Sequence, residues 1–180
     1  MTGAADRTGA PGPVQLGVVM LCHNEMPTAT RMARVWAEGG ARVVIHVDAD
    51  VSRDAFATLM TDLAGQDRIV VSPRYSCEWG MFSLVRATQD AAELLLERFP
   101  EVTHVLTVSG SCLPLRPVAD LVAFLSRYPR RDFIESVTAE DVGWTVGGLN
   151  EERFTLRFPF AYRRHRRLFD RYVDFQRRWK

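Results

Sequence analysis

Leu21-Cys22-His23-Asn24-Glu25, Ile45-His46-Val47-Asp48-Ala49-Asp50, Trp79-Gly80-Met81-Phe82-Ser83 and Val108-Ser109-Gly110-Ser111-Cys112-Leu113-Pro114 follow one another in the sequence. Each block stands where an apolar run gives way to polar or small residues. That is the pattern at the carboxyl ends of strands buried in a parallel α/β sheet that binds a nucleotide. Working outward, Val14 to Leu21 is almost wholly apolar, and Pro27 suits the first turn of a helix that buries Met32, Val35 and Trp36 and stops at Gly39-Gly40. Ala41 to Val47 repeats the buried strand, and Asp54 to Leu63 sets Phe56, Leu59, Met60 and Leu63 at helical spacing. Strands alternating with helices imply parallel pairing through right-handed crossovers.

The pattern continues with a short third strand over Arg68–Val71. A helix over Ser83–Arg98 carries Leu84, Thr88, Ala91 and Leu95 in one stripe and ends before Pro100. Thr103–Val108 is the fourth strand, and Pro117 opens a helix that buries Val118, Leu121, Phe124 and Leu125. Asp132-Phe133-Ile134-Glu135 is expected as a short fifth strand with a carboxylate at its end. Val142 to Asn150 is a glycine-containing loop, after which Phe154, Leu156, Phe158 and Phe160 alternate as a strand with one apolar face.

With 180 residues and 47% apolar content, the chain can bury one ordinary core. The expected organisation is a disordered Gly/Ala/Pro/Thr-rich leader over 1–13, one domain over 14–160 and a basic amphipathic helical tail over 161–180. The net charge of +1 conceals an asymmetry. Residues 151 to 180 hold ten of the 23 basic residues and four of the 22 acidic ones, which leaves the first 150 at about −5. A polyanion-binding surface across the domain is excluded, and with no recognised motif in the basic tail no nucleic-acid partner is expected. The three cysteines, Cys22, Cys77 and Cys112, are too few and too widely spaced for a disulfide framework or a zinc cluster. A reducing, cytoplasmic setting follows, and neither a signal peptide nor a transmembrane run is legible.

Asp48-Ala49-Asp50 has the form of an Asp-x-Asp pair that holds a divalent metal against a diphosphate, since hard cations favour carboxylate oxygens. Its place at the end of the second strand points instead to a nucleobase or ribose contact for Asp48, with Asp50 as a turn or helix-approach residue. His23, directly after the first strand, is either a nucleotide contact or a helix-approach residue bonded to local backbone. His46 shares a face with Asp48 under regular alternation, so it is a core histidine or a neighbour of the site. Trp79 can cover a base while Gly80 admits close backbone approach, and burial of Trp79 in the core is the competing reading. Ser109, Gly110 and Ser111 put the smallest side chains where a ligand would approach. The arginines at 163, 164, 166 and 167 offer a contact for phosphate, nucleic acid or, peripherally, an anionic membrane surface, or sit on a solvated helix face.

Taken in order, the His-Val-Asp, Trp-Gly and Ser-Gly-Ser-Cys-Leu-Pro blocks resemble the core-2/I-branching family of glycosyltransferases, over about residues 14 to 160. The resemblance implies a GT-A-like, Rossmann-like α/β fold. It also implies inverting, metal-independent transfer of N-acetylglucosamine or xylose from a UDP-sugar to a hydroxyl of a glycan, peptide or small-molecule acceptor, with no cofactor beyond the donor. On that resemblance His23, Asp48, Trp79, Gly80, Ser109 and Gly110 bind the nucleotide, and Glu135 and Arg153 bind the acceptor. Asn150 stands where some members have a lysine, and Cys112 replaces the usual aspartate of the Ser-Gly-x-Asp-x-Pro block. The family's catalytic base and the cations that neutralise the diphosphate come from a later segment than this chain contains, so a fragment or partial enzyme is expected. The alternative is a non-catalytic nucleotide-binding or interaction module.

Overall fold

A computed structural model describes residues 12–78, 81–129, 131–134, 137 and 165–179. The chain falls into two compact units, Met1–Arg131 and Asp132–Lys180. In the first, β1 (Leu16–Cys22), α1 (Met26–Glu38), β2 (Arg42–Val47), α2 (Arg53–Asp62), β3 (Ile69–Val71), α3 (Phe82–Arg98), β4 (His104–Ser109) and α4 (Val118–Ser126) follow in order. The strands form one parallel sheet in the order β3-β2-β1-β4, so the strand order turns back between β1 and β4. This is the α/β arrangement expected of a GT-A-like domain.

Alternation along the strands divides the core in two. Leu16, Val18, Met20 and Cys22 of β1 and Val43, Ile45 and Val47 of β2 pack beneath α1, α2 and α4, where Trp36, Leu59 and Val118 close the layer. Val19 and Val44 face the other way, onto Ala91 and Leu95 of α3 together with Phe99 and Val102. Gly17 belongs to this second layer, and a Cβ there would lie 2.6 Å from Leu95 Cδ2 and 2.8 Å from Val102 Cγ1. The absent side chain is what lets α3 approach β1.

Several side chains depart from the sequence expectation. Met60 and Phe124 are each 44% exposed. Helix α2 meets the core along a narrow line through Leu59 and Leu63, and the Phe124 ring leans on Tyr128 instead, with centroids 5.6 Å apart. Val35 is half-buried. Residues 132–134 form no strand, and Ile134 is 83% exposed. A short apolar run becomes a strand only where another strand takes up its backbone groups, which its own residues do not specify. In the second unit α5 (Arg166–Arg178) is a helix, as its amphipathic spacing requires.

Candidate functional site

The site is assembled by backbone ladders that run past the strand ends. The Asp48 N–H donates to the Cys22 carbonyl at 2.8 Å and the Gly110 N–H to the Leu21 carbonyl at 2.9 Å. Three of the four sequence blocks therefore meet at the carboxyl edge of β2, β1 and β4, where ligands of open α/β sheets bind. His23 and Asn24 are exposed there, and Glu25 caps α1 with φ 49° and ψ 50°. The left-handed turn at Glu25 swings the chain from β1 into α1 within three residues.

Asp48 is 6% exposed and both of its carboxylate oxygens are engaged. Oδ1 accepts the Asp50 N–H at 2.8 Å, and Oδ2 accepts the Cys77 N–H at 3.0 Å. The first bond makes the turn into α2; the second fastens the segment after β3 across the end of β2. Arg74 completes the clasp by donating to the carbonyls of Asp48 and Val51, both at 2.7 Å, with its guanidinium 4.3 Å from the centroid of Phe56. Asp50 is exposed, and its Oδ1 accepts the Ser76 hydroxyl at 3.1 Å. It is the turn residue that its position suggested.

His46 is a core histidine beside Asp48, at 2% exposure. Its Nε2 accepts the Tyr75 N–H at 3.1 Å, which leaves the ring proton on Nδ1, and the two rings stack with centroids 5.6 Å apart. Burial pushes its pKa below the usual histidine value of 6.5, Arg74 acts in the same direction, and the carboxylates of Asp48 and Asp90 oppose them. On the outer face of Tyr75 lies the Arg86 guanidinium, 5.4 Å from the ring centroid. A hydrogen bond to Asp90 is the main cause that raises the Tyr75 hydroxyl above its ordinary pKa.

A depressed histidine pKa means that the unfolded chain binds more protons than the native one between the two values. The stability that neutral His46 contributes is therefore present above pH 6.5 and is lost as the pH falls from there through the folded-state pKa. Urea midpoints measured between pH 7.5 and 5 should decline, and the decline should be smaller in His46→Gln, whose amide oxygen can still accept the Tyr75 N–H. Identical pH slopes for the two proteins would contradict this assignment.

At the end of β4 the chain makes a tight turn. The Cys112 N–H donates to the Ser109 carbonyl at 3.0 Å. The Cys112 sulfur lies 3.4 Å from the Ser109 nitrogen, which donates to it, and 3.1 Å from the Ser109 hydroxyl. These bonds, the hydroxyl first, lower the Cys112 thiol pKa, so the cysteine acts as an acceptor in the turn. Cys22 differs, since burial raises its thiol pKa to about 12. Gly110 is small for a reason that sequence did not disclose. A Cβ there would lie 2.8 Å from Cys22 Sγ and 3.0 Å from the Ala29 Cβ, so the missing side chain admits the first turn of α1. Trp36 ties the following loop to the same helix by donating from Nε1 to the Cys112 carbonyl at 3.2 Å.

His23, Asp48, Ser109 and Gly110 thus share one edge of the sheet. Trp79, Gly80, Glu135 and Arg153 lie outside the described residues; on the flank of the first pair, Ser83 Oγ accepts the Glu78 N–H at 3.0 Å. Sequence reasoning passed over Arg74, Tyr75 and Cys77, which hold Asp48 and His46. Ser72-Pro73-Arg74-Tyr75-Ser76-Cys77 follows the apolar run of β3 and carries the same apolar-to-polar signature as the other strand ends, a signal sufficient to have found it.

A parallel α/β sheet with its polar groups gathered at the carboxyl edge is the arrangement in which open α/β domains bind their ligands, and it is consistent with a GT-A-like domain. The sequence matches the family model of the Core-2/I-Branching enzyme over residues 18–157, and the chain belongs to that family. Membership makes it a glycosyltransferase-type domain, with a nucleotide-sugar donor and an acceptor as its substrates. No curated protein matches it. Among the described residues no helix is long and apolar enough to cross a membrane.

Proposed function

We propose that the carboxyl edge of β2, β1 and β4 binds a UDP-sugar, and that the chain serves inverting, metal-independent transfer of N-acetylglucosamine or xylose to an acceptor hydroxyl. The observation that carries this reading is the setting of Asp48. It is a buried carboxylate held at the strand end by two backbone N–H groups, with lone pairs remaining for donors of a ribose or uracil. His23 stands beside it at the end of β1, and the Ser109-Gly110 turn lies one strand further along, at the end of β4. Trp79 and Gly80 are assigned to the base, and Glu135 and Arg153 to hydroxyls of a glycan, peptide or small-molecule acceptor. The cysteine usage favours a cytoplasmic protein.

Metal independence is supported by how the carboxylates are used. Asp48 accepts the Asp50 and Cys77 amides and Asp50 the Ser76 hydroxyl, so protein donors already offset part of the charge on each carboxylate. Chemically, the acceptor oxygen forms a bond to the anomeric carbon as the bond to the diphosphate breaks on the opposite face. The acceptor proton passes to an acidic side chain, and cationic groups stabilise the charge that develops on UDP.

Calorimetric titration with UDP in the presence of a chelator tests the binding step. Saturable binding is expected, and an absolute requirement for manganese or magnesium would return Asp48-Ala49-Asp50 to the role of metal ligands. Transfer from UDP-N-acetylglucosamine and UDP-xylose, followed by product analysis, then distinguishes an enzyme from a module that binds without turnover.

A further inference from the structure

We infer that α5 is a membrane-surface helix that lies in the plane of an anionic lipid layer. At 100° per residue, Leu168, Phe175 and Trp179 fall within about 40° of arc on this helix. They are 50%, 55% and 78% exposed, while Val173, on another side, is buried. A soluble helix ordinarily turns its bulky apolar residues inward and presents charge to water, so three such side chains in one exposed stripe need a partner of their own. Arg171 and Arg178 border the stripe. With Phe175, Trp179 and Asp174 they line a shallow concavity of about 500 Å³, in which the two aromatic rings sit 6.0 Å apart.

The chemistry of that border selects the partner. The helix carries five arginines against two aspartates, for a net charge of +3, and Asp174 lies 3.6 Å from Arg177. A lipid surface offers phosphate for the guanidinium groups and acyl chain for the stripe, with indole suited to the boundary between them. Nucleic acid would satisfy the charge and leave Leu168 and Phe175 in water. Thirteen residues are too few to span a bilayer but enough to lie along it.

The test is sedimentation of the whole chain with vesicles of phosphatidylcholine mixed with phosphatidylglycerol, and with vesicles of phosphatidylcholine alone, at low and high salt. Binding is expected on the mixed vesicles and should weaken with salt. Because each basic residue near an anionic surface is worth about a fivefold factor, R171Q/R178Q should lower partitioning about 30-fold. F175S/W179S should abolish sedimentation at either salt concentration. All four side chains are exposed, so unchanged circular dichroism and urea midpoints will accompany these losses. Equal binding to both vesicle types, or no binding to either, would overturn the inference, the second pointing to a docked protein. Capture by heparin without vesicle binding would also overturn it, in favour of a polyanion. None of these outcomes bears on UDP binding by the first unit.

Discussion

Asp48→Asn is expected to lower the stability of the protein by about 2 kcal/mol and to weaken UDP binding about tenfold or more, whereas Asp50→Asn should change stability by less than about 0.5 kcal/mol. The difference follows from what each carboxylate does. Asp48 accepts two backbone N–H groups in a buried position, one of which closes the turn into α2 while the other secures the segment after β3. An asparagine keeps one acceptor oxygen and turns an N–H₂ group toward the second amide, so one buried donor loses its partner and faces another donor. Asp50 is exposed and receives only a serine hydroxyl, a bond that water replaces. Urea unfolding followed by circular dichroism gives the first quantity and calorimetry the second. Equal losses of UDP affinity from the two substitutions would indicate a shared metal, and an unchanged urea midpoint in Asp48→Asn would remove the clasp from the account.

Gly110→Ala should cost about 1 to 3 kcal/mol, the usual range for adding a carbon where a packed interior has no room. The new Cβ would meet Cys22 Sγ at 2.8 Å and the Ala29 Cβ at 3.0 Å, and the neighbouring side chains are the short, buried ones of β1 and of the first turn of α1. Little can rotate aside. Cys22→Ala removes the sulfur, so the double variant Cys22→Ala/Gly110→Ala should recover part of the loss, which a double-mutant cycle of urea midpoints will register as coupling. If the glycine is small for the sake of a ligand instead, Gly110→Ala will unfold at the wild-type urea concentration and lose UDP affinity alone.

The clasp at Asp48 also bears on how the site is used. Its carboxylate is presented by two amides and by a carbonyl fixed to Arg74, so it is held before any ligand arrives and little ordering entropy is spent on it at binding. The stacked pair of His46 and Tyr75 lies under the same segment and is neutral at physiological pH, so the cationic group beside Asp48 is Arg74 and not His46.

What the sequence by itself determined was the class of fold and three strand ends at which polar groups gather. Unbroken apolar runs identify strands covered on both faces, and helical spacing identifies the stripes between them. That was enough to place β1 to β4 and α1 to α4 within about two residues of their ends. Asp48 and Gly110 were legible as special positions because a charge and a glycine interrupt those runs. Their partners were not. Asp48 meets Cys77, and His46 meets Tyr75, each across 29 positions of chain, and Gly110 meets Ala29 across a still longer separation. Those meetings exist because β1 lies between β2 and β4 and the segment after β3 folds back over the end of β2. Local periodicity records only which way a side chain faces. Which polar group it finds there depends on strand order and on segments that arrive from elsewhere. For the same reason Phe124 is left part-exposed, residues 132–134 lack a strand, and the apolar stripe of α5 stands open: burial is decided by what packs alongside, and tertiary structure alone supplies that neighbour.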